Sequence, residues 1–217
     1  TYLIMKAFEI AVFGAIAAFA SAGTTAQWKE RSVYQVLTDR FARADGSTTA
    51  CTNLSNYCGG DYKGLINKLD YIAGMGFDAI WISPIVTNYA EGYHGYWATN
   101  WNTYNSHFGT EQDLIDFVNA AHAKGIWVMV DVVANHVGPV NMDFSQITPY
   151  NQAVHYHTDC QINNWNDQNE VQYCRLANLP DLDQDNPYVR SELKSWVANI
   201  VSHFGFDGIR IDTIPEV

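Results

Sequence analysis

Gly205-Phe206-Asp207-Gly208-Ile209-Arg210-Ile211-Asp212-Thr213-Ile214 stands three residues from the end of the 217-residue chain. The tract is bounded by glycine and apolar at alternate positions, the pattern of a short buried strand. Side chains alternate between the faces of a strand, so Arg210 and Asp212, at i and i+2, point the same way. A guanidinium beside a carboxylate favours the ionised acid, the form that a nucleophile or an electrostatic stabiliser requires. Taken alone, an Arg-x-Asp is more often a structural ion pair at a strand end. What the pair means therefore depends on its surroundings.

Working back from this strand, apolar runs alternate with amphipathic stretches. The pattern predicts strands over 32–37, 79–82, 126–133 and 208–211, and helices over 62–75, 111–124 and 186–204. Gly74-Met75-Gly76 and Lys124-Gly125 stand where helices should stop, each shortly before a strand. Strand and helix in repetition indicate an α/β fold with a parallel sheet and helices packed outside it. One interval, from Val137 to about residue 180, is rich in Asn, Asp, Gln and Tyr and lacks helical periodicity. A structureless loop of that length is improbable inside a compact domain, so it is expected to be an inserted subdomain.

Four strands with three helices are the N-terminal half of a (β/α)8 TIM barrel, which takes about 250 residues when complete. The organisation expected is a first barrel part over 23–136, the insertion over 137–180, and the barrel continued over 181–217, truncated after its fourth strand. An open doubly wound sheet lacks support, because no Gly-x-Gly-x-x-Gly follows the first strand and no phosphate loop occurs.

Composition narrows the class of function. The chain is 47% hydrophobic and 16% charged, so it can bury a sizeable core. A net charge of -11 without clustered Lys or Arg argues against a nucleic-acid partner and is compatible with a neutral substrate. Met5-Lys6, the mostly apolar stretch from Ala7 to Phe19, and Ala20-Ser21-Ala22 read as a secretory signal peptide over 1–22. The apolar run is short and carries Glu9, which disfavours a membrane span. Four residues precede Met5, so the true start is expected there, and the mature protein near Gly23. Secretion makes disulfides the natural use of the four cysteines. Cys51 lies near Cys58 and Cys160 near Cys174, which favours two local bridges among the three possible pairings. Asn53-Leu54-Ser55 is a glycosylation acceptor inside the first cysteine loop.

Polar residues gather where the strands end: Asp39-Arg40 after the first, Tyr93-His94-Gly95-Tyr96-Trp97 after the second, Asp131 and Asn135-His136 at the third, Arg210 and Asp212 at the fourth. In a parallel barrel these ends share one rim, where active sites are found. Each has a structural reading of its own, His136 as a core residue or Asn135 as a turn former. Their joint placement favours a site.

These motifs carry a resemblance. Asp131-Val132-Val133-Ala134-Asn135-His136 and Gly208-Ile209-Arg210-Ile211-Asp212 resemble the first two signature regions of the alpha-amylase family, glycoside hydrolase family thirteen. Leu179-Pro180-Asp181-Leu182-Asp183 is similar to the region that closes the family's inserted domain. Tyr34-Gln35-Val36-Leu37-Thr38-Asp39-Arg40-Phe41 and Tyr93-His94-Gly95-Tyr96-Trp97 are similar to stretches of fungal-type secreted alpha-amylases. The likeness covers about residues 27–217, in the family's order.

The resemblance implies a secreted, monomeric retaining hydrolase that cuts α-1,4 bonds within starch- or glycogen-like glucans or maltooligosaccharides, with no membrane attachment once the leader is removed. Asp212 would be the nucleophile, and Arg210 would hold it charged and oriented. His94 and His136 would hydrogen-bond sugar hydroxyls, Tyr96 would stack beneath the ring, and Trp97 and Tyr89 would line the cleft. Asp131 would support the group from behind. A structural calcium ion is implied, with Asn135 and Asp181 as side-chain ligands and Gln172 and Glu216 contributing main-chain carbonyls.

The chain also departs from the family. Pro215-Glu216 replaces the Lys-His common in secreted relatives, and there Glu216 is expected to face the leaving-group side, leaving specificity and the balance of hydrolysis against transfer open. The family's general acid follows a fifth strand and a third carboxylate a seventh, both beyond residue 217. The 217-residue chain alone is thus expected to be nearly inactive, since general acid-base help is worth about 100- to 10,000-fold. The alternatives are an α-glucosidase or transglycosylase of the same family, or a non-catalytic binding relative.

Overall fold

In chain order the elements are α1 (Thr25–Trp28), β1 (Val33–Gln35), α2 (Thr38–Phe41), α3 (Tyr62–Asn67), α4 (Leu69–Gly74), β2 (Ala79–Ile82), β3 (Val86–Asn88), β4 (Ala98–Tyr104), α5 (Glu111–His122), β5 (Trp127–Val132), α6 (Gln168–Tyr173), α7 (Pro187–Phe204) and β6 (Gly208–Ile211). The computed structural model describes residues 23–217, so the leader expected over 1–22 lies outside the described residues. Strands β1, β2, β5 and β6 pair in that order, every pair parallel, with the helices in the crossovers.

The period-2 pattern of the strands divides the sheet's two faces. Ile80, Ile82, Val128, Val130 and Val132 are all essentially buried and pack against Leu65, Leu69 and Ile72, Leu114 and Phe117, and Ile200 and Phe204 of the crossover helices. Each such side chain contributes about 1.5–3 kcal/mol by leaving water. The alternate positions, Trp81, Met129, Asp131 and Arg210, belong to the opposite face. The apolar rhythm that builds the core thus also aims the polar residues away from it.

Local chemistry sets the helix ends. Thr110 caps α5 by accepting from Asp113 N, and the Asp113 carboxylate accepts from Thr110 N in return. Asn186 caps α7, Pro187 occupies its first turn, and Gly205 ends it at φ 72°, a left-handed conformation suited to glycine. The single helix expected over 62–75 is instead two, parted at Lys68 (φ -111°, ψ 5°), where Asn67 donates to Ala44 O at 3.2 Å. Its buried stripe, Leu65, Leu69 and Ile72, continues across the break. The first strand stops at Gln35, and α2 follows from Thr38 with Leu37 as its N-cap.

Between β2 and α5 the chain makes an antiparallel pair, β3 with β4, that the sequence pattern did not announce. Strand β4 is Ala-Thr-Asn-Trp-Asn-Thr-Tyr, too polar to alternate clearly. A second core, around Trp101, Phe144, Ile147, Tyr150 and Tyr156, joins this hairpin to the long segment after β5 and to Leu182, Val189 and Leu193. Both local disulfides are formed, Cys51–Cys58 and Cys160–Cys174. Among the described residues no helix is long and apolar enough to cross a membrane.

Asp207 fastens the first core to the last strand. Its Oδ2 accepts from the buried Val128 N and lies 2.8 Å from His122 Nε2, while its main-chain oxygen accepts from Gly23 N and Trp28 Nε1. Replacing Asp207 by Ala leaves the Val128 N–H buried and unpaired, and should cost about 1–3 kcal/mol in urea unfolding. Asp207→Asn, which keeps an acceptor, should cost less; equal losses would show that the hydrogen bond is not the cause.

Candidate active site

Register decides which residues meet. Asp131 of β5 and Arg210 of β6 are direct cross-strand partners. Arg210 Nη1 donates to Asp131 Oδ1 and Oδ2 at 3.0 and 3.1 Å, and to Asp212 Oδ1 at 2.5 Å. Asp212 N in turn donates to Val132 O, which fixes Asp212 at the strand's end. One guanidinium therefore bridges two carboxylates, as expected of Arg210 and Asp212 on one face.

Asp131 is 1% exposed and takes three kinds of donor: Arg210, Tyr96 Oη at 2.8 Å and Trp81 Nε1 at 3.0 Å. Burial pushes its carboxyl above the usual range, and the hydrogen bonds from Tyr96, Arg210 and Trp81 offset part of this. Arg210 and Trp81 can only donate, so both need an acceptor oxygen on Asp131, which the carboxylate supplies to every partner. The site is built for the anion. For Arg210, burial opposes the charge, but Asp131 and Asp212 outweigh it and raise its pKa above the ordinary value. Trp81 was not foreseen as a site residue. It also lies under Arg210, whose guanidinium carbon is 4.9 Å from the ring centroid. Its position in β2, on the face opposite Ile80 and Ile82, was the available signal.

The aromatic group lies in the β3–β4 connection. Gly95 (φ 87°) reverses the chain where a Cβ would fall 2.7–2.8 Å from Pro84 atoms. His94 and Tyr96 are thereby stacked, centroids 5.7 Å apart, with Trp97 edge-on to His94 at 4.7 Å. Tyr96 N donates to His94 Nδ1, leaving the His94 proton on Nε2. Burial, with Arg40 nearby, lowers the His94 pKa, so the ring is neutral. Arg40 itself lies over the Tyr93 ring at 3.8 Å. Asn88 Oδ1 accepts from Trp97 N, and Tyr89, 37% exposed, donates its N–H to Trp97 O.

Two residues expected at the sugar are buried. His136 is 3% exposed and its nitrogens are engaged internally: Nε2 donates to Tyr96 O at 3.1 Å, and Nδ1 faces Asn135 Nδ2 at 3.4 Å. It braces the aromatic loop from beneath. Glu216, expected at the leaving-group side, is only 7% exposed, whereas Pro215 is exposed. The cause is local. Thr213 adopts φ 50°, ψ 43°, strained for a β-branched residue, and turns the chain inward immediately after Asp212. Asp39, beside the rim, is committed to its own loop, accepting from Arg40 Nε, Cys58 N and Gly59 N. Asn53 is exposed in that loop.

The residues expected to hold a cation form a separate group behind the rim. Because Asn135 turns its amide nitrogen to His136, its Oδ1 is left buried without a donor, and Asp181 Oδ1 is likewise buried and unpaired. Leu182 N donates to Asn135 O at 2.7 Å, and His136 and Asp181 form a bridge, so the two stand side by side. Asp181 Oδ2 is 2.6 Å from His157 Nδ1. Burial first, then the Glu216 charge, raise the Asp181 carboxyl to about 6 against the pull of His157 and Arg175. Gln172 lines a cavity of about 230 Å³ with His157 and Val217. Among the described residues no three His, Cys, Asp or Glu side chains converge as a metal group. Amide and carbonyl oxygens would have to complete the shell, and such donors suit a hard cation.

A family model, "Alpha amylase, catalytic domain", matches residues 35–217. The chain belongs to the alpha-amylase family. It is 44% identical over 207 residues to alpha-amylase 1 of Schwanniomyces occidentalis, covering 88% of this chain and 40% of the relative. It superposes on an alpha-amylase from Malbranchea cinnamomea with a TM-score of 0.86 and 46% identity, over 90% of this chain and 44% of that one. An alpha-amylase from Geobacillus thermoleovorans, complexed with acarbose, matches with a TM-score of 0.80 and 37% identity, over 88% of this chain and 41% of that one. The four-stranded parallel sheet is thus part of a TIM barrel, and the chain spans about two fifths of these relatives.

Arg210 is the component whose loss should be felt most. Arg210→Gln leaves Asp131 and Asp212 without their shared counter-charge and should lower unfolding stability by about 2–4 kcal/mol, below the range for a fully buried pair because the guanidinium is one-third exposed. A change under 0.5 kcal/mol in denaturant titration would show that the bridge is incidental.

Proposed function

We propose that the protein is a secreted, monomeric retaining glycoside hydrolase that cuts α-1,4-glucosidic bonds within starch- or glycogen-like glucans. The observation that carries this reading is the Asp212 carboxylate held at the strand end by Arg210, which is itself anchored on Asp131. Oδ1 of Asp212 is engaged by Arg210, leaving Oδ2 to attack. In that step Oδ2 bonds to the anomeric carbon as the glycosidic C–O bond breaks. The departing oxygen takes a proton from a general acid in the part of the family's barrel that residues 1–217 do not span. Water then releases the sugar with retained configuration.

The neighbouring side chains support an uncharged, ring-shaped ligand. Tyr96 and Trp97 offer aromatic faces, and neutral His94 has a free Nε2–H with which to donate to a hydroxyl. His136 would act through the Tyr96 main chain. That a 37% identical relative is complexed with acarbose supports a saccharide in the same cleft. Two disulfides favour an oxidising, extracellular setting, and exposed Asn53 suits glycosylation there.

A calcium ion would be held by Asn135 and Asp181, with main-chain carbonyls of Gln172 and Glu216. Its contribution would be structural, neutralising Asp181 and joining the segment after β5 to the barrel. Without the acid beyond residue 217, the 217-residue chain should turn over natural glucans at a small fraction of the rate of the complete enzyme.

In the complete protein, Asp212→Asn should abolish turnover of soluble starch while leaving glucan affinity within about threefold, since binding is spread over the aromatic loop. Near-normal turnover would remove Asp212 from the nucleophile's role. A strong chelator should lower the melting temperature, and an unchanged melting curve would count against calcium.

A further inference from the structure

Glu216 is the one buried acid near the rim that the chemistry above leaves without a use for its side chain. Its Oε2 has no hydrogen-bond donor, although the residue is 7% exposed. Asn135 Oδ1 and Asp181 Oδ1 share that condition in residues 0% and 2% exposed. An unpaired buried oxygen costs about 1–3 kcal/mol, and more when charged, so three together call for a shared partner.

Val217, the next residue, lines one cavity with Gln172 and with His157, the partner of Asp181, so Glu216 lies near that acid and its charge acts on it. The nearby cations are spent elsewhere. His157 takes the other oxygen of Asp181, and the Arg175 guanidinium pairs with Asp159 and Met142 Sδ. The turn at Thr213 and the hydrogen bond from Gln168 Nε2 to Pro215 O, 3.1 Å, hold residues 214–216 against α6, so Glu216 is packed in place. Two carboxylates and an amide oxygen, all without donors, form an oxygen-only set of net negative charge. A hard divalent cation satisfies such a set, and an N–H donor would have to be an additional residue.

We infer that the Glu216 side chain, and not only its main-chain carbonyl, ligates calcium in this protein. The inference rests on the calcium reading above. Where relatives carry histidine at this position, no anionic oxygen is available, so Pro215-Glu216 changes the cation site rather than the sugar cleft. A second carboxylate raises ligand charge, which tightens calcium binding and makes the fold more dependent on the ion.

The test compares wild type, Glu216→Gln and Glu216→His in the intact protein, by calorimetric titration with Ca2+ (Mg2+ as control) and by thermal melting with Ca2+ or with chelator. Both variants should bind Ca2+ at least about tenfold more weakly. In chelator Glu216→Gln should melt close to wild type, because the two side chains fill the same space and no ion is bound; in saturating Ca2+ it should melt below. Equal calcium affinity in wild type and both variants would overturn the assignment while sparing the calcium site. So would a Glu216→Gln melting loss of the same size with and without the ion. A wild type that binds no Ca2+ would overturn both readings.

Discussion

One guanidinium, that of Arg210, organises the rim of this sheet. It spans a fully buried acid, Asp131, and a partly exposed one, Asp212, on adjacent parallel strands. Burial alone drives the Asp131 carboxyl toward its neutral form, and Arg210, with Tyr96 and Trp81, opposes that drive. The division of labour follows from solvent access. Asp131 is saturated by Trp81, Tyr96 and Arg210 and cannot react, whereas Asp212 keeps one oxygen free beyond the strand end. Two like residues two positions apart across a ladder thereby acquire opposite duties.

The same register explains why the core matters to the chemistry. Ile80 of β2, Val128, Val130 and Val132 of β5 and Ile209 of β6 pack in the layer against the helices, and a one-residue slip would turn Asp131 and Arg210 into it. The second core does comparable work for the aromatic loop. It secures the β3–β4 hairpin against the segment after β5, and His136 then holds the Tyr96 carbonyl from below. His136 and Asn135 are neighbours with different tasks, one facing the loop and the other turning its oxygen toward Asp181.

Much of this was legible in the sequence because it is local. The strands at 79–82 and 208–211 and the long helix ending at Gly205 follow from alternation, a proline and a glycine within a few residues. Placing Asp131, Arg210, Asp212 and the His94–Trp97 loop on one rim needed only the rule that parallel strands end together. What failed was non-local. The β3–β4 pair was hidden by its Asn and Thr content. Trp81 looked like an ordinary strand residue until the parallel register set it beside Asp131. Glu216 was assigned to the cleft because nothing in its neighbours revealed the left-handed turn at Thr213 that carries it inward.

The central claim, that Asp212 is the residue that bonds to sugar, can be tested most directly by covalent capture. A ring-fluorinated α-maltosyl fluoride reacts slowly and releases fluoride, a leaving group that requires no general acid, so the assay depends on the nucleophile alone. After incubation, peptide mass spectrometry should find one glycosyl adduct, on the Asp212 carboxylate. An adduct on any other residue, or none in protein shown by fluorescence to bind maltooligosaccharide, would contradict it.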